Sequence, residues 1–420
     1  MLETYFVRPQ TVDRIRASWI GAEIERYAGW LAGQGYSFRS VVRRVPAAVA
    51  FGEYARVRGA RSLAELPEHV EGFVASQVAV HDARTGSDRP MAKEVRGPVE
   101  QFLSAVLDGF EGSGRPHRGW PFAGELPGFP GYLTGERGLR PATVLLYQHY
   151  LDRFESYLVR IGVKSVAELS PAILSAFVVD RAAAGLAKTT VRDSVGVLRV
   201  FLRYAWREGV TAADLSGAVE WPQVYRLSDI PRSISWEEVN RVLAAVDRRT
   251  GAGKRDYAVL LLLVTYGLRS REIAALTLDD IDWKHDRLAV PARKAGHSTA
   301  FPLSAVAGQA IVDYLQHGRP QTTSRLVFFR AVAPRQPVTA AAVSSIARGW
   351  LLRAGVQVPR PGSHTLRHSA VQRLVDASFD LKTIGDFVGH RSPRSTEIYA
   401  KVAVEALREV SLGDGEEVLG

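Results

Sequence analysis

Apolar positions recur at helical spacing through much of the first 110 residues, as in Ile15, Trp19, Ile20, Ile24 and Tyr27. That rhythm predicts a helical block over residues 12 to about 110. Residues 112–141 break it: GSGRPHRGWPFAGELPGFPGYLTGERGLRP. Gly and Pro at this density do not sustain a helix, so the stretch reads as a linker or an ordered arm. The helical rhythm returns at Pro141, with Leu146, Tyr150, Phe154 and Leu158 forming an i, i+4 stripe. Ser170-Pro171 reads as an N-cap followed by Pro at the first helical position. A helix from about Lys188 to Glu208 follows, with Val191, Val195, Leu198 and Leu202 on one side. A second linker spans 221–235, and Ser235 with Glu238 forms a capping box for the next helix. From Tyr257 to Thr265 the chain is apolar nearly all round, which predicts a buried helix ended or bent by Gly267. Ile281-Asp282-Trp283, Arg287 to Pro291 and Thr299 to Leu303 read as short strands. The expected fold is mainly α with a small antiparallel β-sheet. The expected domains are a helical one at 1–111, a linker at 112–140, a second helical one at 141–220, a linker at 221–235 and a mixed α/β domain at 236–420.

The two helical blocks resemble each other. FGEYARVRGARSLAEL at 51–66 aligns without gaps on FESYLVRIGVKSVAEL at 154–169, 103 positions later. Phe73-Val74 and Phe177-Val178 continue the match after one inserted residue. Two copies are too few for a solenoid. Duplication of one small helical domain accounts for the match; convergence of short helical hairpins is the alternative.

Charge adds a partner. The net charge is +10 and the sequence pI about 9.8, which points to a polyanion. Of 54 basic residues only eight are lysine, and arginine holds phosphate through a planar fork. Lys188, Arg192, Arg199, Arg203 and Arg207 lie along one face of their helix. Such a stripe suits phosphate contacts, which position a protein on DNA without reading its sequence; a merely solvated face is the plain alternative. With no cysteine, disulfides and thiolate metal sites are excluded. The longest apolar run, Ala258 to Val264, is far short of a membrane span. The start of the chain lacks a signal-peptide core. The expectation is a soluble, cytoplasmic, DNA-associated bacterial protein.

The chemistry concentrates in GSHTLRHSAVQRLVDASFDLKTIGDFVGHRSPRSTEIYAKV, residues 362–402. It holds His364, Arg367, His390 and Tyr399. A phenol with a reference pKa of about 10 is ionised to roughly one part in a thousand near neutrality. A tyrosine nucleophile therefore needs a base or a strong positive field. Arg269 emerges where the buried helix stops, and Glu272 one turn on can orient a basic group. Lys294 falls in the turn between the last two strands.

Taken together these residues resemble the tyrosine recombinase, or phage integrase, family. The first arginine motif looks like Gly267-Leu268-Arg269-Ser270-Arg271-Glu272. The hairpin lysine looks like Lys294, the His-x-x-Arg motif is His364-Thr365-Leu366-Arg367, the Gly-His pair is Gly389-His390, and the nucleophile is Tyr399. The likeness runs motif by motif over 235–410, and over 141–220 in general character as the helical core-binding domain. Departures are His297 and Thr299 where further basic residues are common, and Val388 where leucine is usual. The block at 1–111 is an addition to the minimal family plan; a second DNA segment, a partner recombinase or a longer clamp are its possible uses.

The resemblance implies a reaction and a set of roles. Tyr399 attacks a scissile phosphorus to leave a 3′-phosphotyrosyl bond, while Arg269 and Arg367 neutralise the non-bridging oxygens. Lys294 protonates the leaving 5′ oxygen, His364 takes or relays the phenol proton, His390 donates to the phosphate, and Glu272 orients its neighbours. No cofactor, metal or ATP is implied, and no P-loop motif is present. The implied partners are double-stranded DNA and further copies of the chain, up to a tetramer linked by a tail helix at 403–412, with or without partner recombinases. Three other readings are a topoisomerase of the same phosphotyrosine chemistry, a catalytically silent DNA-binding accessory protein, and a metal nuclease using Asp279, Asp280 and Asp282.

Overall fold

The computed structural model describes residues 1–85, 92–110, 112, 119–223, 233–291 and 299–389. Its contacts divide the chain into two units, Met1–Gly112 with Asp229–Gly420, and Ser113–Ser228. Among the described residues no helix is long and apolar enough to cross a membrane.

The N-terminal block comprises α1 (Pro9–Arg16), α2 (Gly21–Gly33), α3 (Phe38–Val57), α4 (Val70–Thr85) and α5 (Ala92–Val106). Ile15, Ile20, Ile24 and Tyr27 are buried as their spacing requires. Trp19 is half-buried, and its indole N–H donates to the Gly52 carbonyl at 2.9 Å.

The second unit contains α6 (Phe129–Gly131), a π-helical turn at Tyr132–Glu136, α7 (Pro141–Arg160), α8 (Pro171–Ala183) and α9 (Lys188–Arg207). Residues 119–140 are an ordered arm of this unit, not a linker before it. Phe122, Leu126, Phe129 and Leu133 are buried among the side chains of α7 and α9. Their three- and four-residue spacing keeps one apolar face despite the Gly and Pro between them. The Glu125 carboxylate accepts the Ser165 hydroxyl at 2.6 Å and the Val166 N–H at 2.8 Å. The stripe on α7 also shifts: Leu146 is 45% exposed, and Leu151, Phe154, Tyr157 and Leu158 form the buried face. Ser170 caps α8 through the Ile173 N–H, with Pro171 at the first helical position.

The two helical blocks share one internal plan. α3 and α7 both run 20 residues, 103 positions apart. Gly35 and Gly138, with the same offset, precede them at φ 76° and 58°, and Gly59 and Gly162 follow them at 99° and 79°. Phe51 and Tyr54 both meet Phe73, ring centroids 5.4 and 5.3 Å away. Phe154 and Tyr157 meet Phe177 in the same way, at 4.9 and 5.3 Å. Buried Ile20, Ile24, Tyr27 and Leu31 correspond to buried Phe122, Leu126, Phe129 and Leu133, 102 positions on. Buried Val99, Phe102 and Leu103 correspond to Leu198, Phe201 and Leu202, 99 positions on.

The C-terminal region opens with the capping box, Ser235 accepting the Glu238 N–H and Glu238 accepting the Ser235 N–H, which starts α10 (Trp236–Ala244). The buried helix is α11 (Gly251–Tyr266), inaccessible from Ala258 to Val264 and exposed at Thr265. After α12 (Ser270–Ala274) come β1 (Ile281–Asp282), β2 (Arg287–Val290) and β3 (Thr299–Pro302), an antiparallel sheet in the order β1-β2-β3. Leu288 pairs with Ile281 and Phe301, and Val290 with Thr299. α13 (Ala305–His317), α14 (Ala340–Arg353) and α15 (Ser363–Asp376) pack on α11, and α16 (Leu381–Val388) packs on α15. Phe387 of α16 meets Phe301 of β3 edge-on at 5.0 Å, which ties that helix to the sheet.

Candidate active site

Gly267 closes α11 at φ 57°, ψ 32°, the left-handed region that disfavours a side chain. A Cβ there would lie 3.3 Å from Val388 Cγ1 and 3.6 Å from Ala370 Cβ. The turn delivers Arg269 to the head of α12. The buried Glu272 carboxylate accepts the Arg269 backbone N–H at 2.8 Å and its Nη1 at 2.9 Å. Both ends of Arg269 are therefore fixed by one carboxylate.

Arg269 Nη2 donates to the Gly389 carbonyl at 2.9 Å. Arg367, on α15 and only 5% exposed, donates Nη2 to the Val388 carbonyl at 2.7 Å and Nη1 to the Gly267 carbonyl. Val388 and Gly389 are consecutive, so the two guanidinium groups sit side by side at the C-terminal end of α16. Unpaired carbonyls and the helix dipole make that end partly negative, which suits two cations. Among the described residues, the carboxylate paired with Arg269 is that of Glu272. Ser270 and Ser363 join the heads of α12 and α15 through a 2.6 Å hydroxyl pair.

His364 lies one turn before Arg367 on α15. Desolvation, then the fields of Arg367 and Arg269, hold its imidazole below the ordinary value. A neutral imidazole at neutral pH can accept a proton. His368, one turn further, has its ring 6.4 Å from that of His364. Desolvation first, then His364 and Arg367, push it down to about 4. It was not singled out from the sequence, although the four-residue spacing from His364 places both on one face of a helix.

The structure thus brings together Arg269, Glu272, His364 and Arg367. Lys294, His390 and Tyr399 lie outside the described residues. On α9, Lys188, Arg192 and Arg203 are exposed. Arg199 donates to the Val219 carbonyl at 2.8 Å and lies over Trp221. Arg207 pairs with Glu136 and Glu208 and lies over Tyr132 and Tyr204. The three acidic-turn carboxylates each have a partner: Asp279 pairs with Arg325, Asp280 accepts from Thr277, and Asp282 accepts from His285.

Comparison with known proteins decides the family. The Phage integrase family matches residues 232–406, and its N-terminal SAM-like domain matches 126–209. Tyrosine recombinase XerD of Mycobacterium tuberculosis is 30% identical over 305 residues, 69% of this chain and 96% of that one. The chain belongs to the tyrosine recombinase (phage integrase) family. Members of this family are site-specific recombinases, and so is this chain. A Sinorhizobium fredii relative, named "Putative integrase/recombinase y4rA", is 33% identical and covers 92% of both chains. Among solved structures, XerH recombinase bound to its difH substrate after cleavage aligns at TM-score 0.54 and 18% identity, over 66% of this chain and 80% of that one. A lambda integrase dimer bound to a core site aligns at 0.52 and 18%, over 65% and 93%. These structures share the tyrosine recombinase fold with this chain. The SAM-like match begins inside the arm, seven residues past Gly119, in keeping with the burial of Leu126 and Phe129.

Proposed function

We propose that Tyr399 is the nucleophile of strand cleavage and that Arg269 and Arg367 hold the scissile phosphate. The phenolate attacks phosphorus, the 3′-phosphotyrosyl bond forms, and the bond to the 5′ oxygen breaks. Lys294 gives that oxygen its proton, and His364 accepts the proton of the phenol. His390 donates to a non-bridging oxygen. Rejoining is the reverse, a 5′-hydroxyl attacking the phosphotyrosine, so the energy of the phosphodiester is kept and no ATP is spent.

One observation carries this reading: two guanidinium groups held on consecutive carbonyls, with a neutral imidazole one turn away. Fixed donors of this kind stabilise charge that grows in the transition state, and losing one costs about 10²–10³ in rate. The residues from His390 onward leave the same Gly389 whose carbonyl holds Arg269, which supports delivery of the nucleophile to that pocket. Lys188, Arg192 and Arg203 on α9 are the phosphate contacts of the core-binding block, with Arg199 and Arg207 secondary to them. The block at 1–111 is a second copy of the core-binding domain, 236–420 is the catalytic domain, and the working assembly is a tetramer on two duplexes joined by tail helices.

The test is covalent trapping on DNA from around the gene's own locus, followed by sequencing of the ends. Wild-type protein should yield one cleavage position. Tyr399→Phe should bind the same DNA and form no adduct; a persisting adduct would move the nucleophile elsewhere. Lys294→Ala should slow cleavage, and a 5′-phosphorothiolate leaving group should restore it, because sulfur leaves without a proton donor.

A further inference from the structure

We infer that the backbone at two left-handed glycines, Gly267 and Gly389, positions the catalytic guanidinium pair. The arrangement is crossed. Arg269 follows the cap of α11, yet its guanidinium is held by the carbonyl of the cap of α16, Gly389. Arg367 is held by the carbonyl of the cap of α11, Gly267, and by Val388 at the end of α16. Each glycine closes its helix with positive φ, 57° at Gly267 and 64° at Gly389. The left-handed turn sets the direction of the carbonyl. The carbonyl in turn sets where a guanidinium presents its other donors. Gly267 is also packed against Val388 at the far helix end, so the two caps are in contact through that residue.

This inference rests on Arg269 and Arg367 acting on the phosphate. It adds that glycine is needed at 389 for its backbone conformation and not only for space. Asn tolerates the left-handed region, whereas a β-branched residue is an outlier there. Gly389→Val and Gly389→Asn therefore separate conformation from bulk, since both add a side chain of similar size.

Single-turnover cleavage of a nicked duplex carrying the mapped site is the measurement. Gly389→Val should cleave about 10²-fold slower, with DNA affinity unchanged, while Gly389→Asn should stay within about tenfold of wild type. The second arm replaces the scissile phosphate by a methylphosphonate, which removes the charge the guanidinium groups neutralise. There the Gly389→Val defect should shrink, as should that of Arg269→Ala. A merely structural defect would be the same on both substrates. Equal losses in Val and Asn variants, or a Val defect undiminished on methylphosphonate, would overturn the inference. If Gly389→Val does not fold, Gly389→Ala takes its place, and Asn cleaving no faster than Ala overturns it equally. Arg269→Ala and Arg367→Ala cleaving like wild type is a separate result, and it would remove the assignment of the pocket itself.

Discussion

The two helical blocks use the same buried positions and spend their surfaces differently. Phe51, Tyr54 and Phe73 in one match Phe154, Tyr157 and Phe177 in the other, down to the ring contacts they make. On the third long helix the inward face is also shared, Val99-Phe102-Leu103 against Leu198-Phe201-Leu202. The outward face is not. Where α9 carries Arg199, Arg203 and Arg207, α5 carries Glu100 and Ser104, and Asp108 follows its end, at the same 99-residue offset. Over residues 1–111 the sequence has 14 basic and 14 acidic residues. A shared interior shows what the fold requires; a divergent exterior shows what each copy has been left to do. A block with no net charge and with Glu100 and Asp108 in place of arginines is poorly suited to grip phosphate there.

The equivalence of the interiors is the easiest part to break. Phe51→Ala and Phe154→Ala should each cost about 3–5 kcal/mol in chemical denaturation, as buried Phe truncations do. A loss under about 1 kcal/mol at Phe51 alone would end the comparison. A smaller effect probes a point where the copies diverge. A Cβ at Gly52 would sit 2.2 Å from Ile20 Cδ1, so Gly52→Ala should cost about 1–3 kcal/mol by overpacking. The matching residue in the other block is Glu155, which accepts the Phe122 N–H at 3.0 Å. Glu155→Ala should cost about 1–3 kcal/mol by orphaning that donor, so similar losses would come from opposite causes.

The exterior difference is read through salt. Arg203→Ala should weaken DNA binding and lower the slope of log K against log salt by about 0.9, one phosphate contact. Glu100→Ala and Asp108→Ala should leave that slope unchanged. A slope that drops on mutation of α5 would show that the first block grips DNA after all. The smallest effect belongs to Arg207, which pairs with Glu136 and covers two tyrosine rings. Arg207→Ala should lower stability only slightly, because its pairs are exposed to solvent, and move the salt slope less than Arg203→Ala does.

Much of this architecture was legible because it is written locally. The Ser235–Glu238 box, the Ser170-Pro171 start, the buried run of α11 and the three short strands each depend on neighbours in sequence. So does the stop of that helix at Gly267, whose left-handed turn the structure adds. The arm at 119–140 was not legible as part of a domain, because Gly and Pro mask an apolar spacing that only tertiary packing uses. The match of the third helices was hidden because the connection before them differs in length, moving the offset from 104 to 99. Arg199 and Arg207 look like members of a uniform stripe until their partners, a carbonyl, a carboxylate and aromatic rings, come from elsewhere in the fold. The guanidinium pair hides its holders for a different reason. Backbone carbonyls have no letter in a sequence.

The Gly52–Glu155 difference bears on how one chain folds two modules of like plan without confusing them. Like blocks in tandem are prone to trade helices during folding. Were α7 to take the place of α3, the Glu155 side chain would start where even a Cβ lies 2.2 Å from Ile20 Cδ1, so the helix could not seat without displacing Ile20. In the converse exchange, Gly52 would leave the Phe122 amide without its acceptor. At this one position in the middle of the matched sequence, each helix thus carries a residue suited to its own module.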